Sequence, residues 1–463
     1  MMEGNLIIRK RGFFSGLKLE ENKISSGFPI EYSGIPDKVI IPLQQHTGEP
    51  CDPLVKRGDT VREGQLIGDS EGWISAKIHA SISGKVTSIP RMVNPQTSNI
   101  ISAVEITSES TGSTSAAAEN RIPESTQEPD SEVHISRFRE LSGIVDRLSS
   151  QKLIDKIKDA GVVGMGGATF PTHVKLSIPA GKSIDTVIIN GCECEPGITA
   201  DHRLMLDYGF EVLSGIYIIY RILKPEMVFI AIEDNKEDAI VHLEKMIITL
   251  GLEKIFRIVS LPSRYPMGAE KTLIKNVLKR KVPAGGLPMD VGAVVNNVGT
   301  AKAIFDAVVQ GRPLIERVVT ITGDIKKPKN LMVRIGTLIG DFRDYFGELD
   351  EKDYKVIFGG PMTGFSVVNM DFPVTKGSNC LLVKEVKKRV ESNCIRCGRC
   401  INVCPMNLMP LMYANFVKNN KFVRCRDYYI DSCIECGSCA YVCPASIPLV
   451  GYIKTGKAAL ARK

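Results

Sequence analysis

Two runs of four cysteines near the C-terminal end constrain this chain more than any other feature. Cys394, Cys397, Cys400 and Cys404 follow the spacing C-x2-C-x2-C-x3-C, with Pro405 next. Cys433, Cys436, Cys439 and Cys443 repeat it, with Pro444 next. Three closely spaced thiolates wrap one corner of an iron–sulfur cubane, and the x3 step opens a short helix that carries the fourth thiolate toward a neighbouring cubane. The proline then forces the chain away. The pattern therefore assigns Cys394, Cys397, Cys400 and Cys443 to one [4Fe-4S] cluster and Cys433, Cys436, Cys439 and Cys404 to a second. Tetrahedral zinc is the competing reading, but it needs two C-x2-C pairs rather than two runs of four. Of thirteen cysteines, five remain. Cys51, Cys380 and Cys425 read as small buried hydrophobes. Cys192 and Cys194, a C-x-C pair with no second pair nearby, read as core or pocket lining.

A length of 463 residues predicts about three domains. The most apolar stretch, Tyr208 to Ile232, is interrupted by Glu211, Arg221, Lys224, Pro225 and Glu226, which predicts a buried helix and then a strand rather than a membrane span. The N-terminal residues lack the apolar run and small-residue cleavage site of a secretory signal, so the chain is expected to stay in the cytosol. A net charge of +7 raises the question of nucleic acid, but aromatics are only 6%, Trp73 is the sole tryptophan, and no basic stripe is interleaved with them. The tract KEVKKR at Lys384–Arg389 reads as a docking site for an acidic partner or a solvated face.

Along the chain, residues 1–107 hold short alternating runs from Lys38 onward that predict an all-β module. The passages VKRGDTVREGQLIG and SAKIHASISGKVTSI resemble the barrel-sandwich hybrid of biotinyl and lipoyl domains. The hairpin that carries the cofactor lysine in those domains reads DSEGWIS here, so no swinging arm is expected. Residues 108–135, rich in Ser, Thr, Glu and Pro, predict a flexible linker. Residues 136–316 alternate helix (150–160, 204–222, 236–250, 268–279) with strand (185–190, 227–232), an α/β pattern. Residues 317–378 read strand, strand, helix, strand, a small β-grasp-like module. Residues 379–463 hold the cysteine runs and short helices.

Three passages in the α/β region carry polar chemistry. GVVGMGGATFPTHVKL offers Gly164, Gly166 and Gly167 for close backbone approach to a ligand, and Pro171 opens a helix bearing Lys175. Because a helix and not a strand precedes this loop, it is not the dinucleotide fingerprint. NGCECEPGITADHRLM places Asn190, Glu193 and Glu195 after a strand, and VNNVGTA supplies Asn296, Asn297 and Thr300. These passages resemble the GxRGRGGAGFPTGxKW, NADESEPG and INNVETL motifs of the FMN- and NADH-binding subunit of respiratory complex I. YPMGAEKTLI is similar to that family's YICGEETAL. With QHTGEPC, GWISAKIHASISGKV and ECEPGITADHRLM, nearly the whole chain resembles RnfC, the peripheral subunit family of Rnf electron-transport complexes.

The resemblance implies a multidomain α+β fold: a barrel-sandwich hybrid, a complex-I-flavin-subunit-like α/β domain, a β-grasp (SLBB-like) module and a two-cluster ferredoxin domain. It implies FMN held by Gly164, Gly166, Gly167, Lys175, Asn190, Asn296, Asn297 and Thr300, with Tyr265 and Glu270 matching the family's tyrosine and second glutamate. Glu193 and Glu195 would lie near the isoalloxazine and the nicotinamide of NADH and take the catalytic roles. Met165, Thr169, Cys192 and Ala269 depart from the family's arginine, glycine, aspartate and first glutamate. The implied partners are the membrane and ferredoxin-oxidising Rnf subunits, ferredoxin and NAD(H), at the cytoplasmic face of the plasma membrane. Two rivals stay open: a soluble cobalamin reductase flavoprotein similar to RnfC, and a cluster-only electron wire with a vestigial nucleotide site.

Overall fold

In a computed structural model of the chain, residues 6–10, 16–94, 99–109, 131–347, 354–367, 369–387 and 390–461 are described. The central layer is a parallel sheet of five strands in the order Ile7–Arg9, Phe256–Leu261, Met227–Glu233, Thr186–Gly191, Ala293–Asn297. Helices cover both faces, so its inner strands are buried on both sides, as runs such as TVIING and MVFIAIE require. The expected helix over 204–222 is two helices, Ala200–Asp207 and Gly209–Leu223, separated at Tyr208. The second lies against Val298–Val309 so closely that a Cβ on Gly215 would stand 1.8 Å from the Ala301 carbonyl oxygen. Glycine is the only residue that permits this crossing.

The structure moves two expected boundaries and places the residues ahead of Lys38. Helix Ser131–Asp146 takes in the last five residues of the expected linker, and His134 stacks on Phe210 at 5.1 Å. Residues 110–130 of that linker lie outside the described residues. The strands ahead of Lys38, where the alternating pattern was expected to begin, pair outside the hybrid's sheets. Ile7–Arg9 is an edge strand of the parallel sheet, and Ile30–Tyr32 pairs with Lys329–Arg334 in the β-grasp sheet. The hybrid itself begins at Lys38, with its sheets closing over Val39, Ile41, Ile67, Ile78 and Val86. Finally, the β-grasp module runs past residue 378. Strand Cys380–Glu385 lies between Tyr354–Phe358 and Glu316–Gly323 at the middle of a six-stranded mixed sheet.

The modules interlock through buried polar groups. Lys376, 1% exposed in the β-grasp module, donates from Nζ to the carbonyls of Lys77 in the hybrid and Gly161 at the start of the glycine loop, both at 2.7 Å. Desolvation lowers this amine to about 7. The cysteine-rich domain packs helices Pro410–Lys418 and Leu449–Ala461 around Tyr413, Ile430 and Ile453. Among the described residues no helix is long and apolar enough to cross a membrane.

Candidate functional site

The two cysteine runs fold as a structural repeat. In each, an αL residue inside the first C-x2-C (Arg396, Glu435) precedes an αL glycine (Gly398, Gly437) and then a one-turn helix (Arg399–Asn402, Ser438–Tyr441). A left-handed residue at these points curls the backbone around a central body, which is why glycine recurs there. Cys394, Cys397, Cys400 and Cys443 line one cavity of about 160 Å³. Cys404, Cys433, Cys436 and Cys439 line a narrower one, closed by Leu408, Tyr413 and Ile453. The cavities divide the eight thiols in the same crossed way as the spacing. Among the described residues no three His, Cys, Asp or Glu side chains converge as ligands of a single ion. The sulfurs ring a space instead, which suits a cubane whose thiolates sit at its corners. Burial raises the Cys433 thiol to about 11 and Cys439 to about 12, so cluster assembly has to displace their protons.

The flavin-type residues gather at the carboxyl ends of strands Thr186–Gly191 and Ala293–Asn297, where ligands of open α/β sheets sit. Asn297 caps helix Val298–Val309, accepting from Gly299 N at 2.8 Å, and donates from Nδ2 to Asp201 Oδ2 at 2.6 Å. The Thr300 hydroxyl accepts from Met165 N at 2.9 Å, which ties the glycine loop to this helix. Gly164 N bonds the Phe170 carbonyl, folding that loop on itself. A Cβ on Gly166 would stand 3.1 Å from the Asn297 Cβ, so the loop lies directly on the asparagine. Asn190 donates to Gly268 O at 2.9 Å and accepts from Cys192 N at 3.1 Å. Lys175 bonds Glu270 at 3.0 Å and the Val295 carbonyl at 2.8 Å. Asn296, 4% exposed, has no partner for its Nδ2. A donor left unpaired at such depth costs stability unless a ligand meets it.

The two expected catalytic glutamates have different positions. Glu193 accepts from the amides of Asp201 (2.7 Å) and His202 (3.2 Å) and so caps helix Ala200–Asp207. Its carboxylate is engaged in the favourable pairing at a helix N-terminus. Glu195 reaches across to the β-grasp module and accepts from the amides of Met362 and Thr363 at 3.0 Å each. Desolvation raises its pKa from the ordinary carboxylate value. The Tyr265 hydroxyl donates to the Cys436 carbonyl at 2.6 Å. Gly166, Gly167 and Glu195 line a cavity of about 490 Å³ that also touches the hybrid (Gln44), the β-grasp module (Thr363) and the loop of the second cysteine run (Ile434). That volume suits a flavin- or nucleotide-sized ligand. Of the expected residues only Gly166, Gly167 and Glu195 line that cavity, while the orphaned Asn296 Nδ2 and the Gly166 step over Asn297 lie at the adjacent end of the sheet and are consistent with FMN there.

Sequence reasoning missed Asp201 and Lys23. Burial, with the Glu193 carboxylate beside it, raises the Asp201 carboxyl from 3.8 to about 7. Between those values the native chain keeps a proton that the unfolded chain has released, so stability is expected to fall as pH rises through that window. Asp201→Asn should flatten the dependence. Thermal midpoints of both proteins at about pH 5 and about pH 8 check this, and parallel behaviour contradicts it.

Fold and site together define an iron–sulfur electron-transfer protein built on a flavin-type α/β domain. Residues 11–111 match the RnfC barrel sandwich hybrid domain, 157–306 the Nuo51 FMN-binding domain, and 393–447 the 4Fe-4S dicluster domain. The chain is 44% identical over 414 residues to the C subunit of the proton-translocating ferredoxin:NAD(+) oxidoreductase complex of Clostridium ljungdahlii, covering 89% of this chain and 85% of the relative. It is 40% identical over 401 residues to the C subunit of the Na(+)-translocating ferredoxin:NAD(+) oxidoreductase complex of Acetobacterium woodii (86% and 85% covered). This chain belongs to the RnfC family, the C subunits of ion-translocating oxidoreductase complexes. Among solved structures, a NAD+-reducing [NiFe]-hydrogenase in the H2-reduced state aligns with a TM-score of 0.49 and 17% identity, covering 70% of this chain and 63% of that one.

Proposed function

We propose that this chain is the flavin- and cluster-bearing subunit of a membrane-bound ferredoxin:NAD+ oxidoreductase, relaying electrons between NADH and ferredoxin-linked partners with coupled ion translocation. The observation that carries this reading is that the inner set of four cysteines is bonded to the flavin-type domain while the outer set reaches the surface. The Tyr265 hydroxyl holds the Cys436 carbonyl, and Gly437 lies so close to the β-grasp loop that a Cβ there would stand 2.5 Å from the Met362 carbonyl oxygen. Cys394 and Cys397 of the outer set are exposed. FMN, when bound, accepts a hydride and releases electrons singly.

The chain's own residues do the rest. The glycine loop would cradle FMN, Asn296 and Asn297 would hold its phosphate and ribityl groups, and Lys175 with Glu270 would flank it. Glu195 fixes the loop that seats the inner cysteine run. The exposed outer run offers a short path to a docked carrier. Membrane contact then comes through partner subunits on the cytoplasmic face. Anaerobically purified chain should release FMN on acid denaturation and lose cluster absorbance when reduced through that flavin by NADH. Clusters without flavin, or flavin that NADH leaves oxidised, would overturn the reading.

A further inference from the structure

A segment ahead of the barrel-sandwich hybrid lies across the acidic turn of the flavin-type domain. Leu17 exchanges two backbone bonds with Tyr265 (2.8 and 2.9 Å), the Glu21 carbonyl accepts from Gly197 N at 2.8 Å, and the Ser25 and Thr199 hydroxyls meet at 2.7 Å. Between these anchors Lys23 points inward. Its ammonium donates to the carbonyls of Glu193 (2.8 Å), Glu195 (2.9 Å) and Ile198 (2.6 Å). An ammonium has three protons, and each here meets one carbonyl of a single turn. The Glu193, Glu195 and Ile198 carbonyls thus converge on one ammonium, and the turn curls around it. The titratable groups acting on this ammonium are the Glu193 and Glu233 carboxyls, the Cys194 thiol and the Lys236 amine, and burial lowers its pKa.

We infer that Lys23 is a positioning residue: it folds the Glu193–Ile198 turn around its ammonium and thereby aims Glu193 at the helix and Glu195 at the cavity. Its charge is also the fixed cation of the acidic turn, where Glu193 and Glu233 stand among the groups acting on it. The N-terminal segment ahead of the hybrid is therefore part of the flavin site. This inference rests on the flavin reading of the cavity and adds a residue to it.

The test uses the full chain with clusters intact and compares wild type with Lys23→Met, Lys23→Arg and Ser25→Ala. Amide hydrogen exchange over residues 191–199 reads the turn directly and needs no flavin. Lys23→Met should speed that exchange and weaken FMN binding, each by about tenfold or more, because bonds from a charged donor are lost. It should also lower the midpoint potential of any flavin that remains, since a cation favours the reduced, more negative ring. Lys23→Arg, which keeps the charge, should restore the potential. Ser25→Ala removes a neighbouring anchor of the same segment and should leave the potential unmoved.

Wild-type exchange and affinity in Lys23→Met would overturn the inference, as would equal potential shifts in Lys23→Met and Ser25→Ala. If Lys23→Met gives no soluble chain, Lys23→Gln carries the same readouts. A wild-type chain that binds no FMN would sink the flavin reading, while the exchange measurement would still judge the role of Lys23.

Discussion

Replacing Cys404 with alanine is expected to remove the cluster seated against the flavin-type domain and to spare the cluster held by the rest of Cys404's own run. Iron and acid-labile sulfide should each fall by about half. The reason is the crossing: Cys404 lies in the cavity with Cys433, Cys436 and Cys439, whereas Cys443 lies with Cys394, Cys397 and Cys400. Cys443→Ala is the mirror experiment and should remove the outer cluster. The two variants differ in consequence as well. Without the inner cluster, electrons from reduced flavin lose their first acceptor, so the outer cluster should stay oxidised when NADH is added. Without the outer cluster, the inner one should still be reduced. EPR spectra of both variants, frozen after NADH and then after dithionite, check this. If Cys404→Ala loses the signal of its own run instead, the crossed assignment is wrong.

The second large effect is expected at Glu195. Its carboxylate accepts the amides of Met362 and Thr363, together with the Thr363 hydroxyl. Alanine there leaves the half-buried Met362 amide and the exposed Thr363 amide without their acceptor, and water can replace it at least at Thr363. The larger consequence is positional. The Met362 carbonyl lies against Gly437 of the inner cysteine run, so a loosened 360–364 loop releases the inner cluster from its place beside Tyr265. Transfer from flavin to cluster should slow on the order of a hundredfold, the penalty of a small misplacement of reacting groups. FMN content should change far less. Glu195→Gln keeps one acceptor oxygen and should fall between the two. Stopped-flow traces of flavin reduction and cluster bleaching separate the steps, and an unchanged bleaching rate in Glu195→Ala would remove this residue from the relay.

How much of this was legible in the sequence depended on whether the signal was local. The cysteine crossing was readable because spacing and proline placement are local consequences of wrapping a cubane. The strands Thr186–Gly191 and Met227–Glu233 were readable because parallel strands buried on both faces are continuous apolar runs. Ile7–Arg9 and Ile30–Tyr32 were not, since three residues show no alternation and only the distant partner makes each a strand. CLLVKE, an apolar run beside the cysteines, was assigned to the wrong module because nothing local says which sheet it completes.

At the site, the glycine loop and the paired asparagines stood out by residue type, and the structure brings Gly166 onto Asn297. Glu193 and Glu195 look alike in ECEPG, yet one caps a helix and the other binds a loop more than 160 residues away. Lys23, in the unremarkable string ENKISS, carries no signal at all. Its role exists only once the acidic turn has folded around it.

The most direct test of the relay runs it in reverse. The anaerobic full chain, reduced with dithionite and freed of excess reductant, is mixed with NAD+ while cluster and NADH absorbance are followed together. Cluster colour is expected to return as NADH forms, at about two cluster electrons per NADH after the electrons held on flavin are counted. Clusters that stay reduced beside bound flavin and excess NAD+, or a preparation whose thiols hold zinc in place of iron, would contradict it.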